Sequence, residues 1–117
     1  MSRAKVAKEE LEEQGVLFLA VYMETRNASV ILLSEGEDQL GTMAVAIPQE
    51  QRMIGPPLSS ILLGDRNVTT ARVLAERTAK TTNKIALVSV FTKTVSESEA
   101  GPILLKLVRK IVGNESV

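Results

Sequence analysis

The sequence predicts an α+β fold: a mainly antiparallel β-sheet or sandwich packed with two α-helices, dimeric, with residues 1–117 forming one domain. Three observations carry this. Short β-branched and apolar runs follow one another through connections too short for a parallel crossover. Two later stretches carry apolar residues at helical spacing. Several strands are apolar on both faces, more than a single layer of 117 residues covers, which calls for helices or a partner on each side.

The opening run, Ser2 to Gln14, consists of good helix formers with Val6 and Leu11 as its only sizeable apolar anchors, and reads as a helix or an extended arm. Val16–Met23 and Ala28–Ser34 flank the turn-like tetrad Glu24–Asn27 and read as a hairpin. Strand alternation places Val16, Phe18 and Tyr22 on one face of the first run and Leu17, Leu19, Val21 and Met23 on the other. After the polar connection Glu35–Gly41, a third strand alternates Met43, Val45 and Ile47 with smaller residues and closes at Pro48. Gln49 to Pro57 reads as an irregular connection stiffened by Pro56 and Pro57. Ala71, Leu74, Ala75 and Thr78 then recur at i, i+3, i+4, i+7, with Arg72, Glu76, Arg77 and Lys80 on other faces, as in an amphipathic helix. Asp65 or Asn67 supplies its N-cap, and Asn83 tolerates the left-handed exit. Lys84–Thr92 is a strand apolar on both faces. A final helix has Pro102 in its first turn, Ile103, Leu104, Leu107, Val108 and Ile111 on one face, Lys106, Arg109 and Lys110 on its solvated side, and Gly113 past its end.

Composition narrows the function. The chain has no cysteine and no histidine, which removes disulfides, thiolate chemistry, cysteine-based metal sites and the commonest general base and metal ligand. Fourteen basic residues balance fourteen acidic ones, so no global field attracts nucleic acid or an anionic membrane, and two phenylalanines and one tyrosine make a poor base-stacking platform. No apolar run reaches the ~20 residues of a membrane span, and the block at Val16–Met23 follows acidic rather than basic residues, unlike a secretion signal. The expectation is a cytoplasmic protein with no catalytic residue, no cofactor and no metal.

The stretch Ser59–Lys84 poses the sharpest question, because a glycine beside an acidic residue and paired threonines hints at nucleotide chemistry. A phosphate-binding loop needs a second glycine followed by Lys and Ser or Thr. Here Gly64 is followed by Asp65, which repels phosphate, so the stretch reads as a turn at Gly64, a helix cap at Asp65, and Thr69 and Thr70 in the first turn. A sensor or enzyme using Asp65 and Thr69 or Thr70 remains an alternative class of function. Lys106, Arg109 and Lys110 form a candidate docking face for an acidic partner.

The segment from Leu62 to Ser89 resembles the most recognisable part of the proteasome assembly chaperone 4 family. The segment covers about a quarter of the chain, and its matching positions are Leu63, Gly64, Asp65, Thr69, Thr70, Leu74, Ala75, Arg77, Thr82, Asn83, Lys84, Val88 and Ser89. The resemblance implies a non-enzymatic factor that pairs with itself or with a related chaperone of the chaperone 3 type and helps α-type subunits form the 20S proteasome ring. Beside the basic triad, Leu63, Asp65, Thr69 and Thr70, of the loop before the first helix and its first turn, are the further candidate partner-binding positions. The sequence departs from other proteasome assembly factors and activators in one respect: those end in a hydrophobic-Tyr-any tail, whereas this one ends Gly-Asn-Glu-Ser-Val, so a folded surface is expected to make the contact. A dimeric scaffold of another cytoplasmic complex is the alternative.

Overall fold

The computed structural model describes residues 3–49, 58–113 and 117. Its elements are β1 (Lys5–Glu13), β2 (Val16–Glu24), β3 (Ala28–Glu35), β4 (Thr42–Ile47), β5 (Leu58–Leu63), α1 (Val68–Thr82), β6 (Ile85–Phe91) and α2 (Glu97–Val112). The strands form one sheet in the order β1-β2-β3-β6-β4-β5. All pairings are antiparallel except β3 with β6, which run parallel. The α+β class, the antiparallel bias and the two helices are therefore as expected. One sheet with both helices on a single side makes two layers within the chain, the sheet form of the expected sheet or sandwich.

Two strands lie where the sequence reading placed none. The opening run is strand β1, because helix propensity is a weak prior against a ready hairpin partner. Gln14 and Gly15 both have positive φ (53° and 77°) and join Glu13 directly to Val16, the two-residue turn geometry that suits strand twist. β5 forms the opposite edge, beside β4. The residues 50–57, including Pro56 and Pro57, lie outside those described. β6 is inserted between β3 and β4, so the third strand of the sequence reading pairs with the last.

The core is the layer between sheet and helices. Phe18, Ala20 and Tyr22 on β2, Ile31 and Leu33 on β3, and Val88 and Val90 on β6 are buried on one sheet face. They pack in a single cluster with Leu74 and Ala75 of α1 and Leu104, Leu107 and Val108 of α2. Above β4 and β6 the contact is built of small residues, Ala71, Ala75 and Ala79 from α1 and Ala44, Ala46 and Ala86 from the strands, all at 0% exposure. Close helix–sheet approach follows from that choice.

The helix ends correct two expectations. α1 has Asn67 at its N-cap position, but in the left-handed region (φ 59°) and with no side-chain capping bond; its Nδ2–H donates to Thr92 Oγ1 at 3.0 Å. Asp65 does not cap it either. The free amide of Thr70 donates to a carboxylate oxygen of Glu97, at 2.8 Å from the first turn of α2, so the cap comes from a residue remote in sequence. At the other end Asn83 sits in the left-handed region as expected. α2 begins at Ser96, whose hydroxyl accepts the Glu99 amide, so Pro102 is the sixth helical residue rather than part of the first turn; Gly113 ends the helix with φ 75°.

Candidate functional site

The side of the sheet away from the helices is open. Strand alternation puts Leu17, Leu19, Val21 and Met23 of β2 there, all partly or fully exposed, while their neighbours Phe18, Ala20 and Tyr22 are buried under the helices. The rows continue across the sheet. Met23 lies opposite Val30, Val30 opposite Leu87, and Leu87 opposite Val45, whose partner on β5 is Ser60; the next pair along on this face, Ile47 and Leu58, is 59% and 73% exposed. An apolar face continuous over β2, β3, β6 and β4 is unusual for a monomer and is the candidate interaction surface. On β1 the rows meet Lys8, Glu10 and Glu12, a polar rim beside an apolar centre.

One end of this face is closed by the connection between β3 and β4, which crosses the end of β6. The Ser34 hydroxyl accepts from the Gln39 amide at 3.0 Å and donates to the Gln39 carbonyl at 3.1 Å. The Ser89 hydroxyl accepts from the Gly41 amide at 2.8 Å. A Cβ on Gly41 would lie 2.1 Å from the Val90 carbonyl oxygen, so only glycine lets the chain pass. These two serines, buried on an otherwise apolar face, thus hold the loop that roofs it.

Glu35, at the end of β3, organises the segment leading into α2. Its buried carboxylate accepts the amides of Lys93 (2.9 Å), Thr94 (3.1 Å) and Val95 (3.2 Å) and the Thr94 hydroxyl (2.6 Å). Burial alone raises its pKa, but the Thr94 hydroxyl and the three amides outweigh it and hold the carboxyl below the ordinary glutamate range. Glu24 is treated similarly: burial raises its pKa, while Tyr22, Lys84 and Lys5 lower it further, with a net downward shift. Tyr22 donates to Glu24 at 3.1 Å, and Lys84 lies 3.3 Å from the same carboxylate. Burial leads the factors that push the Tyr22 hydroxyl pKa up, so this phenol is not an activated base.

The residues singled out by sequence separate into two groups. Gly64 (φ 94°) passes against Thr42, where any Cβ would lie 2.3 Å from the Thr42 hydroxyl; Lys84 donates to the Thr25 carbonyl; and Ser89 holds Gly41. Much of the family-like segment is therefore spent on folding. Leu63, Asp65 and Thr69 are exposed and Thr70 is half-buried. At the N-terminus of α1, where an anion could have been cradled, the Thr70 amide is taken by Glu97. Lys106 and Lys110 pair with Glu13 (3.1 Å) and Glu9 (3.5 Å) of β1, and Arg109 Nε donates to the Val117 carbonyl at 2.9 Å. Lys106 and Lys110 thus link α2 to β1 while their side chains stay 64% and 54% exposed, and Arg109 ties α2 to Val117. Among the described residues no cluster of acidic side chains is placed to hold a metal, and no helix is long and apolar enough to cross a membrane.

No protein-family model matches the chain, and no curated protein matches its sequence. Among solved structures the chain is similar to a subunit in the crystal structure of a novel chaperone complex for yeast 20S proteasome assembly. The TM-score is 0.68 at 15% identity, over 92% of this chain and 91% of that one. The shared property is the fold.

Proposed function

We propose that this protein is a non-enzymatic assembly chaperone of the 20S proteasome, acting in the cytoplasm as half of a dimer that receives α-type subunits. The open apolar sheet face carries the reading. Two such faces laid together would complete the sandwich expected from sequence and remove from water the side chains the helices leave uncovered. The partner is a second copy or a related chaperone of similar fold. The likeness to a chain from a proteasome assembly chaperone complex, and the family-like segment from Leu62 to Ser89, support the same reading. The exposed positions Leu63, Asp65 and Thr69, beside Thr70, are the proposed contact for the α-type subunit.

The test is light scattering on the purified chain, alone and with a related chaperone, followed by capture of α-type subunits. Wild type is expected to form a dimer and to capture them. The double variant Leu32→Glu, Val45→Glu is expected to be a folded monomer with capture lost. A wild-type monomer under both conditions, or full capture by the double variant, would overturn the proposal. Reproducible capture of a different complex would favour the scaffold reading.

A further inference from the structure

Where α1 starts, a cleft of about 230 Å³ opens between the ends of β4 and β6 and the loop that joins β5 to α1. Its polar walls come from three side chains that are each more than nine-tenths buried: Thr42 of β4, Asn67 at the head of α1 and Thr92 just past β6. Buried polar groups are ordinarily spent on hydrogen bonds. Here the Asn67 and Thr92 side chains bond only to each other, Nδ2–H to Oγ1 at 3.0 Å, and among the described residues the Thr42 hydroxyl has no partner. Two hydroxyl donors and the Asn67 carboxamide oxygen are left over, all on the walls of one cleft. The wall at Thr42 is held in place by Gly64, which packs so closely that a Cβ there would meet the hydroxyl oxygen at 2.3 Å. The exposed rim carries one charge of each sign, Asp65 and Arg66.

We infer that this cleft is a recognition pocket for a primary carboxamide, the side-chain tip of an asparagine or glutamine on the partner polypeptide. Its volume of about 230 Å³ lies below the ~300 to 1,000 Å³ of small-molecule sites and suits one side-chain tip. A carboxamide accepts at its oxygen and donates at its nitrogen, so it satisfies the two hydroxyls and the Asn67 oxygen together. A carboxylate takes the hydroxyl protons but sets a negative charge against the Asn67 oxygen, and an ammonium donates to that oxygen but leaves the hydroxyl protons unspent. Either ion also meets a rim whose own charges cancel, and burying a charge without compensation is costly. The choice of partner rests on the proposed contact of Leu63, Asp65, Thr69 and Thr70 with the α-type subunit, since the cleft lies among them; the chemistry of the pocket does not.

The test has two arms. In the first, amide NMR follows the full chain titrated to about 0.1 M with glutamine blocked at both ends (N-acetyl, N-methylamide), and with glutamate and lysine blocked in the same way. Blocked glutamine is expected to shift the amides of 41–42 and 64–67, with the two ions binding at least about fivefold more weakly. Thr42→Val, and Asn67→Gly, which tolerates the left-handed φ of 59°, should each weaken glutamine binding about fivefold, whereas Thr42→Ser keeps the hydroxyl and should not. In the second arm, capture of purified α-type subunits is compared across the same variants and is expected to fall in parallel. The pocket is overturned if blocked glutamine shifts nothing there, as in a cleft that holds only ordered water, if all three compounds bind alike, or if Thr42→Val and Asn67→Gly bind glutamine as wild type does. Glutamine binding with undiminished capture by both variants would overturn the assignment of the partner. Glutamine binding with no capture even by wild type would overturn the assembly role and leave the carboxamide pocket standing.

Discussion

The two faces of the sheet are built from the same strands and nearly the same residue types, yet only one is finished. Phe18, Tyr22, Ile31 and Val88 are sealed by α1 and α2, whereas Leu19, Val21, Leu32 and Leu87, one residue away along each strand, are only partly covered. The difference shows that apolarity by itself does not decide which side of a sheet becomes core. Helix count decides it: two helices of 15 and 16 residues lie side by side on one face, and the described chain provides no third for the other. The unfinished face is where a functional partner is to be sought.

The largest expected contrast is between truncations on the two faces. Leu107→Ala, beneath α2 and fully buried, should cost about 2 to 5 kcal/mol in thermal or denaturant melts. Leu32→Ala on the open face should cost well under that in a monomer while weakening the dimer, read by light scattering across concentration. Equal losses of monomer stability would show the open face to be core after all.

Next in size is the carboxylate that ties the covered layer together. Glu35→Ala leaves the Lys93, Thr94 and Val95 amides without their acceptor and should cost about 1 to 3 kcal/mol. Because the folded-state pKa values of Glu35 and Glu24 lie below their unfolded values, their contribution is fully present above the unfolded pKa of ~4.3 and is lost as pH falls through the folded values. Stability should therefore fall steeply below about pH 4, and Glu35→Ala should flatten that fall; an unchanged acid slope would argue against the carboxylate's role.

A smaller effect separates true from apparent caps. Glu97→Ala should cost about 0.5 to 2 kcal/mol by freeing the Thr70 amide, and Asp65→Ala less than about 0.5 kcal/mol. Reversal of that order in chemical denaturation would restore Asp65 as the cap. The smallest effect concerns the buried Thr78 hydroxyl on α1, which finds no hydrogen-bond partner among the described residues. Thr78→Val should be neutral or stabilising by up to about 1 kcal/mol, since it removes an unpaired polar atom at nearly constant shape.

Some of the missed features were legible. Gln14-Gly15 between alternating runs is a two-residue hairpin signal that argues for β1 as a strand, and Ser96 three residues before Glu99 is a capping pair that places the start of α2 ahead of Pro102. Others were not. Nothing local to Lys106 or Lys110 tells that Glu13 and Glu9 lie across the groove, some ninety to a hundred residues back in the chain.

By itself the sequence determined the class of the fold, the helix periodicities, the turns at Gly64, Asn83 and Gly113, and the excess of apolar strand surface, because each is written in residues within one or two turns of one another. Only the tertiary structure decided that β6 enters between β3 and β4, that Glu97 rather than Asp65 caps α1, and which of two apolar faces stays open. Those outcomes rest on contacts between residues tens of positions apart, where the energy of one packed arrangement over another has no local signature.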